Sequence, residues 1–465
     1  MLRLAALLEA EPGVRMLELA THHAKYPSAV VSSLTYTLVT GVDLYSFYAF
    51  IGAPLLSLAL GILFYALLRR FFQPLASSLG ALALAIYPSF TLFTSAYLKE
   101  VYAHPVALTL LLLMAVGGGK SRWLGIATAC MGLVLSHPLT SLITLAYLTT
   151  LMYVRVVDAL KNPGLEGLRA YSSTIYATAL LGVACAVFAW RIGMPVPLNP
   201  ETTAMLVAYG LVFYASYLVL FSIRHDGLIA MLTPSLLVFE LISHQYSVFT
   251  EALKNTLWLL LYATPLAFLA ATPRKSGRGE PAPLSPVPAV LPVAATVLYV
   301  SAHAGFAASI VHRFLNYLVY PVGLGLAKAS KTRPFATCLL AIVLLASSTM
   351  LVYEASTGGD SLTFYWRYTV MDLELKSFVE AHSSSRLLGS AKYWYMLGEE
   401  HASIDLGLVA ALADEGLGRR LLVFSTEELR YGFPVSPLHY VKPCFSMQAI
   451  RGLVYSNSYS FIGVL

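Results

Sequence analysis

The chain has 465 residues, of which 58% are hydrophobic and 12% charged, and its mean hydropathy is +0.71. That composition excludes a soluble globular protein and predicts a polytopic α-helical membrane protein. The net charge of +6 does not point to nucleic acid, because most Lys and Arg fall in short connections between apolar runs, where they set orientation.

Residues 1–43 hold no apolar run of spanning length and no signal-peptide pattern, since the Leu/Ala stretch from Leu2 to Leu8 is short and runs into Glu9 and Glu11. About twelve runs long enough to cross a bilayer follow, near 44–68, 75–95, 101–118, 123–136, 139–154, 168–190, 202–222, 227–247, 252–271, 288–305, 310–327 and 335–353. The fourth and fifth are short and meet at Ser136-His137-Pro138, which predicts a tight helical hairpin or one span plus a re-entrant piece. Cys130, Cys185 and Cys338 lie in these runs and Cys444 stands alone in the tail, so neither a disulfide framework nor a metal-ligand spacing is present.

Alternate connections carry fourteen cationic residues: Arg69, Arg70, Lys120, Arg122, Arg155, Lys161, Arg169, Arg224, Arg274, Lys275, Arg278, Lys328, Lys331 and Arg333. The intervening ones carry four, Lys99, Arg191, Lys254 and Arg313. This bias predicts that the basic side is cytoplasmic. Residues 1–43 and everything after about 355 are then extracytoplasmic. The predicted organisation is a first outer segment at 1–43, nine spans in 44–272, a Pro- and Gly-rich cytoplasmic linker at 273–288, three spans in 289–354 and a small outer α/β domain at 355–465. In that domain the pattern predicts a helix over Leu373–Ala381, a strand region over Arg386–Leu397, a helix over Leu406–Glu415, a strand over Arg420–Ser425 and a closing hairpin over Gly452–Leu465. The aromatic cluster Phe364, Tyr365, Trp366 and Tyr368 reads as an interfacial anchor more readily than as a carbohydrate platform.

Three stretches with titratable side chains fall on the predicted outer face: His22-His23-Ala24-Lys25-Tyr26, the short loop around Lys99-Glu100 with His104 one turn on, and His312-Arg313. An arginine at an outer membrane boundary, away from the basic cluster at the other end of its segment, calls for an anionic partner or a wet cavity. A carboxylate, imidazoles and a guanidinium on one face can hold a phosphate and deprotonate an acceptor hydroxyl. Glu100 and His104 are the expected catalytic pair, Arg313, His312 and Lys99 the phosphate-binding set, and His22, His23 and Tyr26 neighbours of donor or acceptor. Each has a plainer reading: Glu100 as an interfacial ion pair with Lys99, and His22 and His23 without the spacing of a metal site. His137 before Pro138 reads as a turn or packing histidine.

The order of Tyr26-Pro27-Ser28, Gly41, Arg69-Arg70, Ala85-Ile86-Tyr87-Pro88, Lys99-Glu100, Trp123, Gly132, His137-Pro138-Leu139-Thr140 and Arg313-Phe314 with Tyr317 and Pro321, closed by an outer domain ending in Leu453 to Phe461, resembles the GT-C superfamily. These are polyprenyl-phosphate-dependent membrane glycosyltransferases, among them protein mannosyltransferases, aminoarabinose transferases and oligosaccharyltransferases; the likeness is greatest to their archaeal relatives. The resemblance implies transfer of a sugar from a polyprenyl-phosphate donor to a protein, lipid or glycan acceptor on the outer face of the cytoplasmic membrane. It implies a divalent metal, Mg or Mn, as an admissible cofactor, a lipid-phosphate role for Arg313 and the acidic role of the second outer loop for Glu100. The family's first-loop acid has no match here, as its place falls at or before Met1, so the chain reads as lacking the first helix. Lys392-Tyr393-Trp394-Tyr395 lacks the acid of the Trp-Trp-Asp motif, which favours single-sugar over oligosaccharide transfer. The alternatives are a lipid or solute transporter or flippase, which should show repeats and charge near the midplane, where only Glu240 and Asp226 come close, and a catalytically inactive prenyl-lipid-binding paralogue.

Overall fold

The computed structural model describes residues 28–43, 46–87, 90–91, 94, 99–116, 119–161, 165–192, 316–317, 319–332, 334–357, 370–382, 387–397, 402–403, 421–431, 433–436, 439–441, 452–457 and 460–464. The chain forms two compact units: Met1–Val238 with Leu259–Tyr299 and Arg313–Ser348, and Phe239–Trp258 with Val300–His312 and Thr349–Leu465.

In the first unit the described elements are helices. Its described helices are α1 (Ser28–Thr40), α2 (Gly52–Leu68, entered through a π-helical turn at Phe47–Ile51), α3 (Pro74–Ile86), α4 (Lys99–Ala115), α5 (Lys120–Ser136), α6 (Pro138–Lys161), α7 (Leu165–Ile192) and α8 (Val319–Thr332). A further helix, α9 (Pro334–Thr357), starts in this unit. Helix α1 was not expected from the sequence; it closes on Gly41, whose φ of 73° and N–H bond to Thr37 O make a left-handed cap. At 13 residues it is short for a span. Prolines fix the ends of α3 and α5. Tyr87 and His137 stand before Pro88 and Pro138 and take extended backbone angles, ending α3 and α5, because a residue before proline is driven out of the helical region. The expected run 75–95 is therefore broken at Tyr87. The pair meeting at His137 is two helices separated by that one residue, with Pro138 at the first position of α6.

The core of this unit draws Ala103 and Leu110 from α4, Ile126, Ala129, Cys130, Leu133 and Val134 from α5, Leu148 and Leu151 from α6, and Ala177, Leu181, Ala184 and Cys185 from α7. Spacings of three, four and seven put each set on one helix face. Outward faces are also apolar: Leu58 and Ile62 on α2, Val183 and Val187 on α7, and Leu339 and Ile342 on α9 are all more than half exposed. Bundles solvated by lipid show that pattern. Among the described residues only Ser172–Arg191 is both long and apolar enough to cross a membrane, with shorter apolar helices at Gly52–Leu68, Pro74–Ile86, Glu100–Ala115 and Pro138–Thr149. The expected spans at 202–222, 227–247, 252–271 and 288–305, and the linker at 273–288, lie outside the described residues.

Close approach of α3 and α8 depends on two glycines. A Cβ on Gly323 would sit 2.5 Å from Phe64 Cε1 and 2.7 Å from Gly80 O, and one on Gly80 would sit 2.8 Å from Gly323 O. Tyr320, one turn before Gly323, is carried inward by this contact.

In the second unit α10 (Val370–His382) is followed by β1 (Leu387–Leu388), α11 (Ala391–Leu397), β2 (Ala402–Ser403), β3 (Leu421–Ser425), α12 (Thr426–Tyr431), β4 (Phe433–Ser436), β5 (His439–Val441), β6 (Gly452–Ser456) and β7 (Ser460–Val464). The main sheet has the order β2-β1-β3-β7-β6, with β1 parallel to β2 and β3, and β7 antiparallel to β3 and β6. Strands β4 and β5 pair separately. The expected strand region over Arg386–Leu397 is corrected: two strand residues lead into helix α11, because Tyr393, Met396 and Leu397 at helical spacing fill the core formed with Leu375, Val379, Val423 and Ile462. The expected helix over Leu406–Glu415 and the aromatic cluster at 364–368 lie outside the described residues.

Polar groups are buried within that core. Lys392 Nζ lies 3.2 Å from Asp372 Oδ2 with both side chains fully buried. Tyr393 and Ser460 donate to Asp372 Oδ1 at 3.1 and 3.3 Å. Ser425 and Glu428 form a reciprocal cap on α12, Ser425 N–H to Glu428 Oε2 at 2.9 Å and Glu428 N–H to Ser425 Oγ at 3.2 Å.

Candidate functional site

Helix α4 opens on Lys99-Glu100, which places an acid in its first turn, where the helix dipole favours negative charge. Glu100 is 1% exposed and His104, one turn later, is fully buried. The two residues lie on the same side of α4, as their spacing predicts. The Tyr320 hydroxyl and His104 Nδ1 are hydrogen-bonded at 2.7 Å. The rings of Phe90, Tyr317 and Tyr320 stand 5.3, 5.0 and 5.7 Å from the imidazole. Phe64 meets Tyr320 edge-on at 5.5 Å, so the tyrosine is fixed on its far side as well.

The break between α5 and α6 supplies a second imidazole. His137 Nε2 lies 3.9 Å from Glu100 Oε2, and both side chains are buried. On its other edge His137 Nδ1 is 3.1 Å from Thr140 Oγ1. Thr140 Oγ1 in turn pairs with the Tyr317 hydroxyl at 2.7 Å. Tyr317 also neighbours Glu100. The start of α4, the α5–α6 break with Thr140 in the first turn of α6, and Tyr317 and Tyr320 thus form one cluster around Glu100 and His104. A hydrogen bond of 2.5 Å between Ser32 and Tyr102 ties α1 to α4 close by.

Of the residues expected from the sequence, Glu100 and His104 are brought together. Lys99 is described only as the first residue of α4, and His22, His23, Tyr26, His312 and Arg313 lie outside the described residues. Sequence reasoning assigned His137 to turn or packing, yet it faces the candidate acid. The available signal was the His-Pro-Leu-Thr string itself, in which a capping residue and its third neighbour stand at the spacing that points a side chain across a helix start. Sequence reasoning gave Tyr320 no functional part; its hydroxyl bonds His104 Nδ1.

Among the described residues no group of three or more His, Cys, Asp or Glu is placed to hold a metal. Among the described residues around Glu100 a single carboxylate stands with imidazoles and phenols, whereas Mg²⁺ and Mn²⁺ favour sets rich in carboxylate, carbonyl and water oxygens. These residues do not fit such an ion.

No family model matches the chain, and no curated protein matches it. Among solved structures, ArnT from Cupriavidus metallidurans bound to undecaprenyl phosphate is similar over 94% of this chain and 87% of that one, at 12% identity and a TM-score of 0.36. The same protein in the apo state is similar over 100% and 92%, at 12% identity and a TM-score of 0.38. At this overlap the functional reading rests on the residues around Glu100.

Proposed function

We propose that the chain is a membrane glycosyltransferase of the GT-C type, moving one sugar from a polyprenyl-phosphate donor to an acceptor on the extracytoplasmic face of the cytoplasmic membrane. The observation that carries this reading is the buried Glu100 carboxylate, set beside His137 and Tyr317 and one turn from His104 inside an otherwise apolar bundle. Burying a carboxylate in such surroundings is costly, which supports reading Glu100 as a group held by its neighbours for chemistry.

In the proposed reaction an acceptor hydroxyl attacks the anomeric carbon, the bond from that carbon to the phosphate oxygen breaks, and the polyprenyl phosphate departs with the bonding pair. The hydroxyl proton passes to Glu100. Arg313, His312 and Lys99 neutralise the departing phosphate, and His22, His23 and Tyr26 border the donor or acceptor. His104, fixed by Tyr320, shapes the wall beside the acid. Residues 1–43 and 355–465 are read as extracytoplasmic on the charge bias of the connections.

The test is binding of undecaprenyl phosphate by the purified full chain in nanodiscs, against undecaprenol as the phosphate-free control. Preference for the phosphate is expected, and Arg313→Ala should weaken it by roughly 2 to 5 kcal/mol, the cost of removing a charge-assisted partner from a dry phosphate. Equal binding of the two lipids, or unchanged affinity in the variant, would sink the proposed site.

A further inference from the structure

His137 is the first residue outside α6 and occupies its capping position. Its side chain does what a cap does: Nδ1 accepts the backbone N–H of Thr140 at 3.4 Å. A nitrogen that accepts from an amide carries no proton of its own. The Thr140 hydroxyl, 3.1 Å from the same nitrogen, is then also a donor to it. Thr140 Oγ1 is also paired with the Tyr317 hydroxyl at 2.7 Å, and Tyr317 interacts with Glu100 as well. In the neutral ring the proton must therefore sit on Nε2, the nitrogen that faces Glu100 Oε2 at 3.9 Å.

We propose that His137 is the positioning residue of Glu100, its tautomer set by the cap of α6 so that Nε2–H is presented to the carboxylate. The role in transfer rests on the glycosyltransferase reading; the tautomer does not. At 3.9 Å the last contact is electrostatic, and catalytic hydrogen bonds that are long in a ligand-free site tighten when substrate is bound. The arrangement assigns one nitrogen to the fold and the other to the site. A turn or packing histidine needs only the first.

The experiment is ¹⁵N-histidine NMR of the full chain in nanodiscs, with the His137 signals assigned by their loss in His137→Gln. The expected result is an unprotonated Nδ1 and a protonated Nε2. Thr140→Val should release the Nδ1 clamp and mix the tautomers, Thr140→Ser should preserve the wild-type pattern, and Glu100→Gln should move the Nε2 signal. A protonated Nδ1 in the neutral ring, or an Nε2 signal indifferent to Glu100→Gln, would overturn the proposal. Its catalytic half is read with undecaprenyl-phosphate mannose as donor: His137→Leu should lower kcat by about tenfold or more with KM little changed, and His137→Gln, whose amide N–H stands where Nε2–H stood, should recover part of it. Equal kcat in wild type and His137→Leu would remove the positioning role. Failure of the wild type to bind undecaprenyl phosphate, with the NMR pattern as expected, would instead remove the glycosyltransferase reading and leave the tautomer standing.

Discussion

Glu428 is fully buried, and its Oε2 accepts the Ser425 N–H at 2.9 Å. Burial lifts the carboxyl from 4.5 to about 8, against the opposing pull of Ser390, the Lys392 cation and the Ser425 N–H. The folded unit therefore favours the protonated acid. Below 4.5 the group is protonated in both folded and unfolded chain and its stabilisation is complete. As pH rises toward 8 the unfolded chain ionises and the folded one does not, so stability falls by about 1.4 kcal/mol per pH unit, to a ceiling of about 5 kcal/mol. Glu428→Gln keeps an oxygen for the Ser425 N–H and an N–H₂ for Ser390 but cannot ionise. The two proteins should match near pH 5, and the variant should be the more stable by about 3 kcal/mol near pH 7.5. Hydrogen exchange at Leu421–Ser425 in the detergent-solubilised full chain, corrected for the intrinsic pH dependence, reads the opening free energy of β3. Parallel pH profiles for the two proteins, or a wild type that gains stability with pH, would refute the reasoning.

Lys392→Met should cost the second unit about 3 to 5 kcal/mol by leaving the Asp372 charge buried without this cation, and adding Asp372→Asn should restore most of it; the same exchange measurement decides. Gly323→Ala should lower the unfolding temperature in detergent, with a loss of about 1 to 3 kcal/mol, because the new methyl meets the Gly80 carbonyl. Gly61→Ala, which has open space around it, should be neutral or slightly stabilising. Glu100→Gln should reduce turnover of a polyprenyl-phosphate sugar far more than it weakens undecaprenyl phosphate binding. Equal losses in the two would return Glu100 to an interfacial ion pair.

What the sequence determined by itself is what neighbouring residues impose on one another. Pro138 ends one helix and begins the next, so the break at His137 is legible in three letters. The alternation over Gly452–Leu465 forecasts the β6–β7 hairpin, closed where Ser460 N–H bonds Asn457 Oδ1 at 2.8 Å. The Glu100–His104 pair follows from helical spacing alone. Where local signals compete, packing decides: Tyr393-Trp394-Tyr395 favour a strand, yet α11 forms there because Tyr393, Met396 and Leu397 find the sheet's inner face. The surroundings of Glu100 belong wholly to tertiary structure. Thr140 and Tyr317 are separated by 177 positions and His104 and Tyr320 by 216. No periodicity spans such distances; they are closed by the packing of α8 on α3, where Gly323 and Gly80 let the helix backbones touch and carry Tyr320 to the imidazole.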